Sequence, residues 1–330
     1  MKMNSTKIMF MMILISSTLM MLSSTKMMFS WMMMELNFIS FIPMMAKSNK
    51  MMDQTMKYLI IQSMASSIMV MSMILSSMTE TKLKSSMMMM TSLMMKMGMI
   101  PFHLWMPMVM NSMNWNMCTM MATWQKLATT MAITQMSSIK MLIIPMCLLL
   151  IIPMCLSLTM GAATMTNQKS TKKMMAYSSI SNSPWMIYSM MMSKSQFMMM
   201  FLTYCTLTII IMNSFKKNNI LYKSQITNLM KKKKMEIMMN ILSMSGMPPF
   251  TGFIPKMMII SSSINQSMVI TASMIISSIL SSFSYMKFTS NVMMTNSSQK
   301  KSTKKNKFNS YSMMFNMMGT PMMMMNKMIN

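Results

Sequence analysis

Residues 95–107 read MKMGMIPFHLWMP. The stretch lies within a long apolar run, yet it carries Lys96, then Gly98, Pro101 and His103, the single histidine of the chain. A helix that only faces lipid has no use for a charge followed at once by a helix breaker. Non-helical backbone at membrane depth is tolerated where it is buried in protein or lines a cavity. The stretch therefore predicts a polytopic membrane protein with an interior, and the rest of the sequence is read outward from it.

Of 330 residues, 53% are hydrophobic and 10% are charged. A soluble domain carries roughly 25% charged residues. Apolar runs of the length needed to cross a bilayer, about 20 residues, recur throughout. Acids are confined to Glu35, Asp53, Glu80 and Glu236, and the formal net charge is +26. Nucleic acid is not the implied partner. Aromatic residues do not interleave with the lysine runs as base stacking would need, and lysines in short loops between spans are what membrane topology produces.

The 30 basic residues include no arginine, methionine occurs 76 times and glycine 5 times. Lys, Asn, Ile, Thr and Met abound while residues with guanine-rich codons are scarce. A genome in which AUA encodes Met, as in animal mitochondria, resolves this pattern and points to an organelle-encoded chain. Cys118, Cys147, Cys155 and Cys205 fall inside predicted spans without a CxxC pair. They read as small apolar residues, with neither a disulfide nor a metal expected. The N-terminal segment resembles a signal sequence but lacks a small-residue cleavage site, so it reads as the first helix.

The expected fold class is all-α, a polytopic membrane protein of about 10–11 transmembrane helices. Spans are predicted at 8–25, 27–46, 58–79, 87–107, 116–136, 141–161, 174–192, 197–215, 236–261 and 266–287, with a weaker one near 311–326. Residues 1–290 form the transmembrane domain; residues 291–330 form a Lys-rich loop and a weak C-terminal helix. Lysines test the topology. The N-terminus and the loops after spans two, six, eight and ten hold most of them, including Lys169, Lys172, Lys173, Lys216, Lys217 and Lys231 to Lys234. The opposite loops hold Lys26, Lys82, Lys84, Lys140 and Lys194. That asymmetry places the N-terminus on the positive side, the matrix for a mitochondrial protein.

Four titratable residues lie inside the spans: Glu35, Lys96, Lys126 and Lys256, with His103 nearer a span end. A charge at the bilayer centre costs about 3 kcal/mol or more, so such residues face an interior or a water path and pair with one another. Glu35 and Lys96 make the obvious pair. A structural counter-ion for Glu35 and an interfacial place for Lys256 or His103 are the plain alternatives. Pro101 and the set Pro248, Pro249 and Pro255 interrupt two helices, and each interrupted helix carries a lysine. Transporters built on internal repeats use paired broken helices near the midplane. No repeat is visible here as sequence identity; the pattern of breaks alone suggests one. Burial and a nearby carboxylate pull a lysine's proton affinity in opposite directions, and a row of such groups makes a proton relay. No GxSxG, Walker loop, zinc spacing or GxGxxG occurs, and one histidine excludes haem held by a His pair within the chain.

The stretches MMELNFISFIP, MKMGMIPFHLWMP, ATWQKLA, TNQKSTKKMMAYSSI and LSMSGMPPFTGFIPK, in this order over roughly residues 1–290, resemble the chain 2 family of NADH–ubiquinone oxidoreductases. These are antiporter-like membrane subunits of respiratory complex I, and the match is to the arthropod or other invertebrate type. The resemblance implies an antiporter-like fold of eleven helices, two of them discontinuous, and a matrix-side N-terminus in the mitochondrial inner membrane. It implies that Glu35 and Lys96 form the pair at a half-channel entry, that Lys126 is the central relay group, and that Lys256 stands toward the exit. It implies an enzyme subunit without cofactor or redox chemistry of its own: NADH, FMN, iron–sulfur clusters and ubiquinone belong to partner subunits. The implied partners are the other membrane-arm subunits of complex I, accessory subunits and the lipid bilayer.

The sequence departs from the family at Met108, Ser261 and Ser262, where acids are common, and at Asn182 to Trp185, where a histidine is lost. Three competing functions remain. A freestanding cation/proton antiporter would use the same half-channels. A structural membrane-arm subunit would carry the polar residues inertly. A copper carrier would use Met thioethers, but methionine runs cover every helix face without fixed spacing, as a flexible apolar residue standing for Leu and Ile would.

Overall fold

The computed structural model describes residues 5–46, 49–78, 82–137, 143–264 and 266–294. The span expected near 311–326 lies outside the described residues. The chain divides into two compact units, Met1–Leu156 and Ser157–Asn330.

The first unit holds α1 (Ser5–Ser23), α2 (Met27–Met45), α3 (Asn49–Met78), α4 (Lys82–Met97), α5 (Trp105–Ser112), α6 (Trp115–Ala122) and α7 (Trp124–Ser137). α8 (Ile143–Thr166) runs from the first unit into the second. The second unit continues with α9 (Thr171–Met192), α10 (Lys194–Lys217), a 3-10 turn at Lys223–Asn228, α11 (Lys231–Ser245), α12 (Phe253–Ser263) and α13 (Met268–Met294). In the first unit α2 packs on α1, α3 and α7, while α4 packs on α3 and α7. In the second, α10 packs on α9, α11 and α12, and α13 packs on α11 and α12.

Ser5–Ser23, Met52–Ser77, Lys194–Lys217 and Met268–Ser290 are long and apolar enough to cross a membrane. Hydroxyl groups are numerous in these helices, and their own backbone satisfies them. Ser17 donates to Leu14 O at 3.0 Å, Ser72 to Met69 O at 2.6 Å and Ser214 to Ile211 O at 2.7 Å. Back-bonding of this kind lets serine enter an apolar helix without an orphaned donor.

The two proline-containing runs break as expected, and both break in the same way. α4 stops at Met97 and Gly98 turns left-handed, with φ at 69°. Gly98 N–H donates to Met95 O at 3.2 Å and Met99 N–H to Met94 O at 3.1 Å. This pair of bonds closes the last carbonyls of the helix. α11 stops at Ser245; Gly246 has φ at 75° and its N–H donates to Ser243 O at 3.3 Å. In both, the helix resumes seven residues after the glycine, at Trp105 and at Phe253. The residues at the break are GMIPF (98–102) and GMPPF (246–250). A short repeat is thus visible in the sequence, contrary to the expectation that breaks alone would reveal it.

Most boundaries shift by a few residues, and three shifts matter. α11 begins at Lys231, so Lys231 to Lys234, expected in a loop, lie on a helix, with Lys234 buried. α3 begins at Asn49, so Asp53 and Lys57 belong to a helix that was expected to start at 58. The span expected at 116–136 is interrupted at Thr123, between α6 and α7. No proline or glycine marks the place. Thr123 has φ −112° and ψ −68°, and its hydroxyl donates to Thr119 O at 2.7 Å, the side-chain competition for a helical carbonyl that bends helices.

Space at the second break is fully used. A Cβ on Gly252 would collide with the Ser243 carbonyl oxygen, and one on Gly246 would lie 3.0 Å from Lys256 Cδ. We expect Gly252→Ala to destabilise the detergent-solubilised protein by about 1–3 kcal/mol or more, since backbone rather than a flexible side chain has to yield. Thermal unfolding against the parent chain measures it; an unchanged Tm would show that the break repacks freely.

Candidate functional site

α4 and α2 bring the first pair of charges together. Lys96 sits in the last turn of α4 and Glu35 in the middle of α2; Lys96 Nζ lies 3.0 Å from Glu35 Oε1. The lysine side chain is 4% exposed and the glutamate 20%, so the lysine depends on its partner while the carboxylate keeps an opening. A cation in the last turn of a helix also meets the negative end of the helix dipole. The Lys96 carbonyl, left without a helical partner at the break, accepts from Gln62 Nε2 of α3 at 3.3 Å, so the pair rests on a fixed helix end.

Lys126 lies in the first turn of α7, just past the interruption at Thr123, and is 2% exposed. Its carbonyl accepts from the hydroxyls of Thr129 at 3.1 Å and Thr130 at 2.9 Å. Lys96 and Lys126 share one cavity. Its wall also includes Tyr58, Gln62, Gln125 and Thr129, and about 30 Å³ of it is open to the centres of water-sized molecules. A water needs about 10–15 Å³ measured that way, together with several polar partners. The cavity meets both conditions.

Tyr58 forms the apolar side of this region. Its ring lies 5.6 Å from Phe38, 5.8 Å from Phe41 and 5.7 Å from Trp105, centroid to centroid. A Cβ on Gly98 would stand 3.3 Å from the Trp105 ring, so the left-handed glycine also makes room for the indole that closes the wall. His103 stands apart from the cavity wall. It occupies the turn between α4 and α5, with Nδ1 3.4 Å from Pro101 O.

The second unit holds Lys256 in the first turn of α12, 8% exposed. Among the described residues no carboxylate pairs with it. Its ammonium donates to the carbonyl of Ser245, the last residue of α11, at 3.1 Å, and lies 5.9 Å from the centre of the Trp185 ring. Lys96 and Lys256 occupy different positions relative to their glycines: Lys96 lies in the last turn before its break, and the Lys256 ammonium reaches back to the last residue before its own. Sequence reasoning located the four charges but missed Tyr58, Gln62, Gln125, Thr129 and the Ser245 carbonyl. The available signal was Gln62 and Gln125 themselves, amides inside apolar runs, one of them adjacent to Lys126.

The architecture defines a class: all-helical membrane proteins with interrupted helices and buried lysines at the breaks. A family described as NADH:quinone oxidoreductase/Mrp antiporter, transmembrane, matches residues 22–284. NADH-ubiquinone oxidoreductase chain 2 of Locusta migratoria is 36% identical over 80% of this chain and 78% of the locust chain. Its counterpart in Aedes aegypti is 40% identical over 79% and 77%. A chain in the structure of respiratory complex I from Thermus thermophilus with bound aureothin superposes with a TM-score of 0.78, at 17% identity, covering 88% of this chain and 71% of that one. This chain belongs to the NADH:quinone oxidoreductase/Mrp antiporter family, in its NADH-ubiquinone oxidoreductase chain 2 branch.

Breaking the Lys96–Glu35 pair from one side strands a charge. We expect Glu35→Gln and Lys96→Met each to destabilise the protein by on the order of 2–5 kcal/mol, the upper end for Glu35→Gln because Lys96 is the more buried partner. The double variant is expected to recover most of the loss. Equal, additive losses in a thermal double-mutant cycle would show that the two groups do not support each other.

Proposed function

We propose that this chain is a proton-translocating membrane-arm subunit of NADH:ubiquinone oxidoreductase in the mitochondrial inner membrane, with its N-terminus in the matrix. Family membership supports the assignment to that enzyme. The coding pattern supports the compartment, and the lysine asymmetry between alternate loops supports the orientation. Glu35, Lys96, Lys126 and Lys256 are the proton-carrying groups, and His103, in the turn outside the cavity wall, is the outlying candidate. NADH, flavin, iron–sulfur clusters and ubiquinone are handled by partner subunits. This chain supplies charge movement, coupled to their electron transfer.

The observation that carries this reading is the Lys96–Glu35 ion pair at 3.0 Å beside a cavity that Lys96 shares with Lys126. A charged neighbour within about 4–6 Å shifts a proton affinity by one to three units. Separating the pair therefore alters what the lysines of the cavity hold, and the cavity has room for a water to carry the proton between them. Lys256 is the station of the second unit, its charge held by a helix end instead of a carboxylate. Lys256 can lose its proton without stranding a carboxylate among the described residues, whereas loss of the Lys96 proton leaves Glu35 to be protonated in turn.

Lys126→Met in the assembled complex tests the reading. Proton-coupled NADH oxidation is expected to fall about a hundredfold or more, the scale on which removal of a proton-transfer group acts. Electron transfer from NADH to an artificial acceptor should keep the parental rate. An unchanged proton yield per NADH at an unchanged rate would remove Lys126 from the relay.

A further inference from the structure

We infer that Asn37 and Gln125 form a positioning pair that sets the cavity wall beside Lys126, an inference that rests on the relay reading above. Gln125 Nε2 donates to Asn37 Oδ1 at 2.8 Å. Asn37 is 2% exposed and stands on α2, two residues beyond Glu35; Gln125 stands on α7, immediately before Lys126. The bond ties the helix of the carboxylate to the helix of the central lysine, and these two helices pack on each other. Gln125 is also part of the cavity wall.

The pair is costly to keep. Two amides have been brought into an apolar contact between helices, and Asn37 Nδ2 is buried with no hydrogen-bond partner among the described residues. A buried donor left unsatisfied is destabilising. Apolar residues of the same shape would pack this contact at least as well, so the amides are there for something other than packing.

Their chemistry indicates what. The bond to Asn37 takes one N–H of Gln125 and fixes its amide, whose Oε1 is the acceptor this residue can offer the cavity it lines. An acceptor beside an ammonium favours the charged form. The titratable groups around it are Lys126 on the same helix, Lys96 of α4, Tyr58 of α3 and, through Lys96, Glu35 of α2; His103 lies outside the wall. Asn37 thus acts through Gln125, and Gln125 acts on the lysines. Neither carries the proton.

The test uses Asn37→Leu and Gln125→Met, both close in shape to the parent residue, in the assembled complex. The alkaline limb of the pH profile of proton pumping is expected to move to lower pH, by about half a pH unit or more. Assembled amount and electron transfer to an artificial acceptor should stay at parental levels. The double variant should move the profile no further than either single one, because both remove the same bond. An unmoved profile in assembled Gln125→Met overturns the inference, as do additive shifts. Failure of both variants to assemble overturns it as well, since that is the behaviour of a purely packing contact. The underlying relay reading fails separately, if Lys126→Met pumps normally. Loss of pumping in Lys126→Met with an unmoved profile in Gln125→Met would remove only the positioning role.

Discussion

A polypeptide that leaves the α-helix inside a bilayer has to satisfy its amides from within, because hydrocarbon offers no partner. At Gly98 and Gly246 the chain does so by turning left-handed, which glycine adopts without steric cost. The turn closes the last carbonyls of α4 and α11 and directs the backbone into a short non-helical run before α5 and α12 begin. Every charge but Lys126 and Glu35 in the proposed relay takes its place from these two breaks. Lys96 is held in the last turn before the first, and Lys256 reaches back over the second. Substitution at either glycine is strained by its positive φ, and side chains crowd the space a Cβ would need.

The two breaks solve the cost of a buried cation differently. Lys96 has a carboxylate at 3.0 Å. Coulomb attraction of that kind is strong at low dielectric, but it commits two charges to one another. Lys256 has the Ser245 carbonyl at 3.1 Å and the face of Trp185 at 5.9 Å. A helix end and an aromatic face together offset part of the desolvation of an ammonium, each by about 0.5–2 kcal/mol. They impose no countercharge that must be neutralised when the proton leaves. Among the described residues, then, Lys96 rests on a countercharge and Lys256 on dipoles.

Much of this was legible in the sequence, and what was not has physical reasons. Hydropathy and the prolines at 101, 248 and 249 located the spans and two interruptions, because the bilayer imposes length and a proline removes a helical hydrogen bond. Glu35 and Lys96 were readable as a pair because no other acid lies well inside a span. The interruption at Thr123 was not readable. A threonine in an apolar helix usually bonds back to its own turn without breaking it, as Thr208 does to Cys205 O at 3.0 Å. The shared GM-x-PF run was in plain view but short, and it gained meaning only once both glycines proved left-handed. The amides of Gln62 and Gln125 were hidden for another reason. Their roles depend on which helix faces them, and single-sequence periodicity does not give helix neighbours.

Thr123 bears on how Lys126 works. An uninterrupted helix would carry Lys126 far from either end, where backbone carbonyls and amides are spent on one another. The break instead puts Lys126 in the first turn of a new helix, a position that disfavours a cation through the dipole, as does that of Lys256 in α12 and in contrast to that of Lys96 in the last turn of α4. The opposing influences are the acceptors around the cavity and room for water. The interruption at Thr123, three residues before the lysine, thus sets Lys126 at a helix start beside the cavity it shares with Lys96.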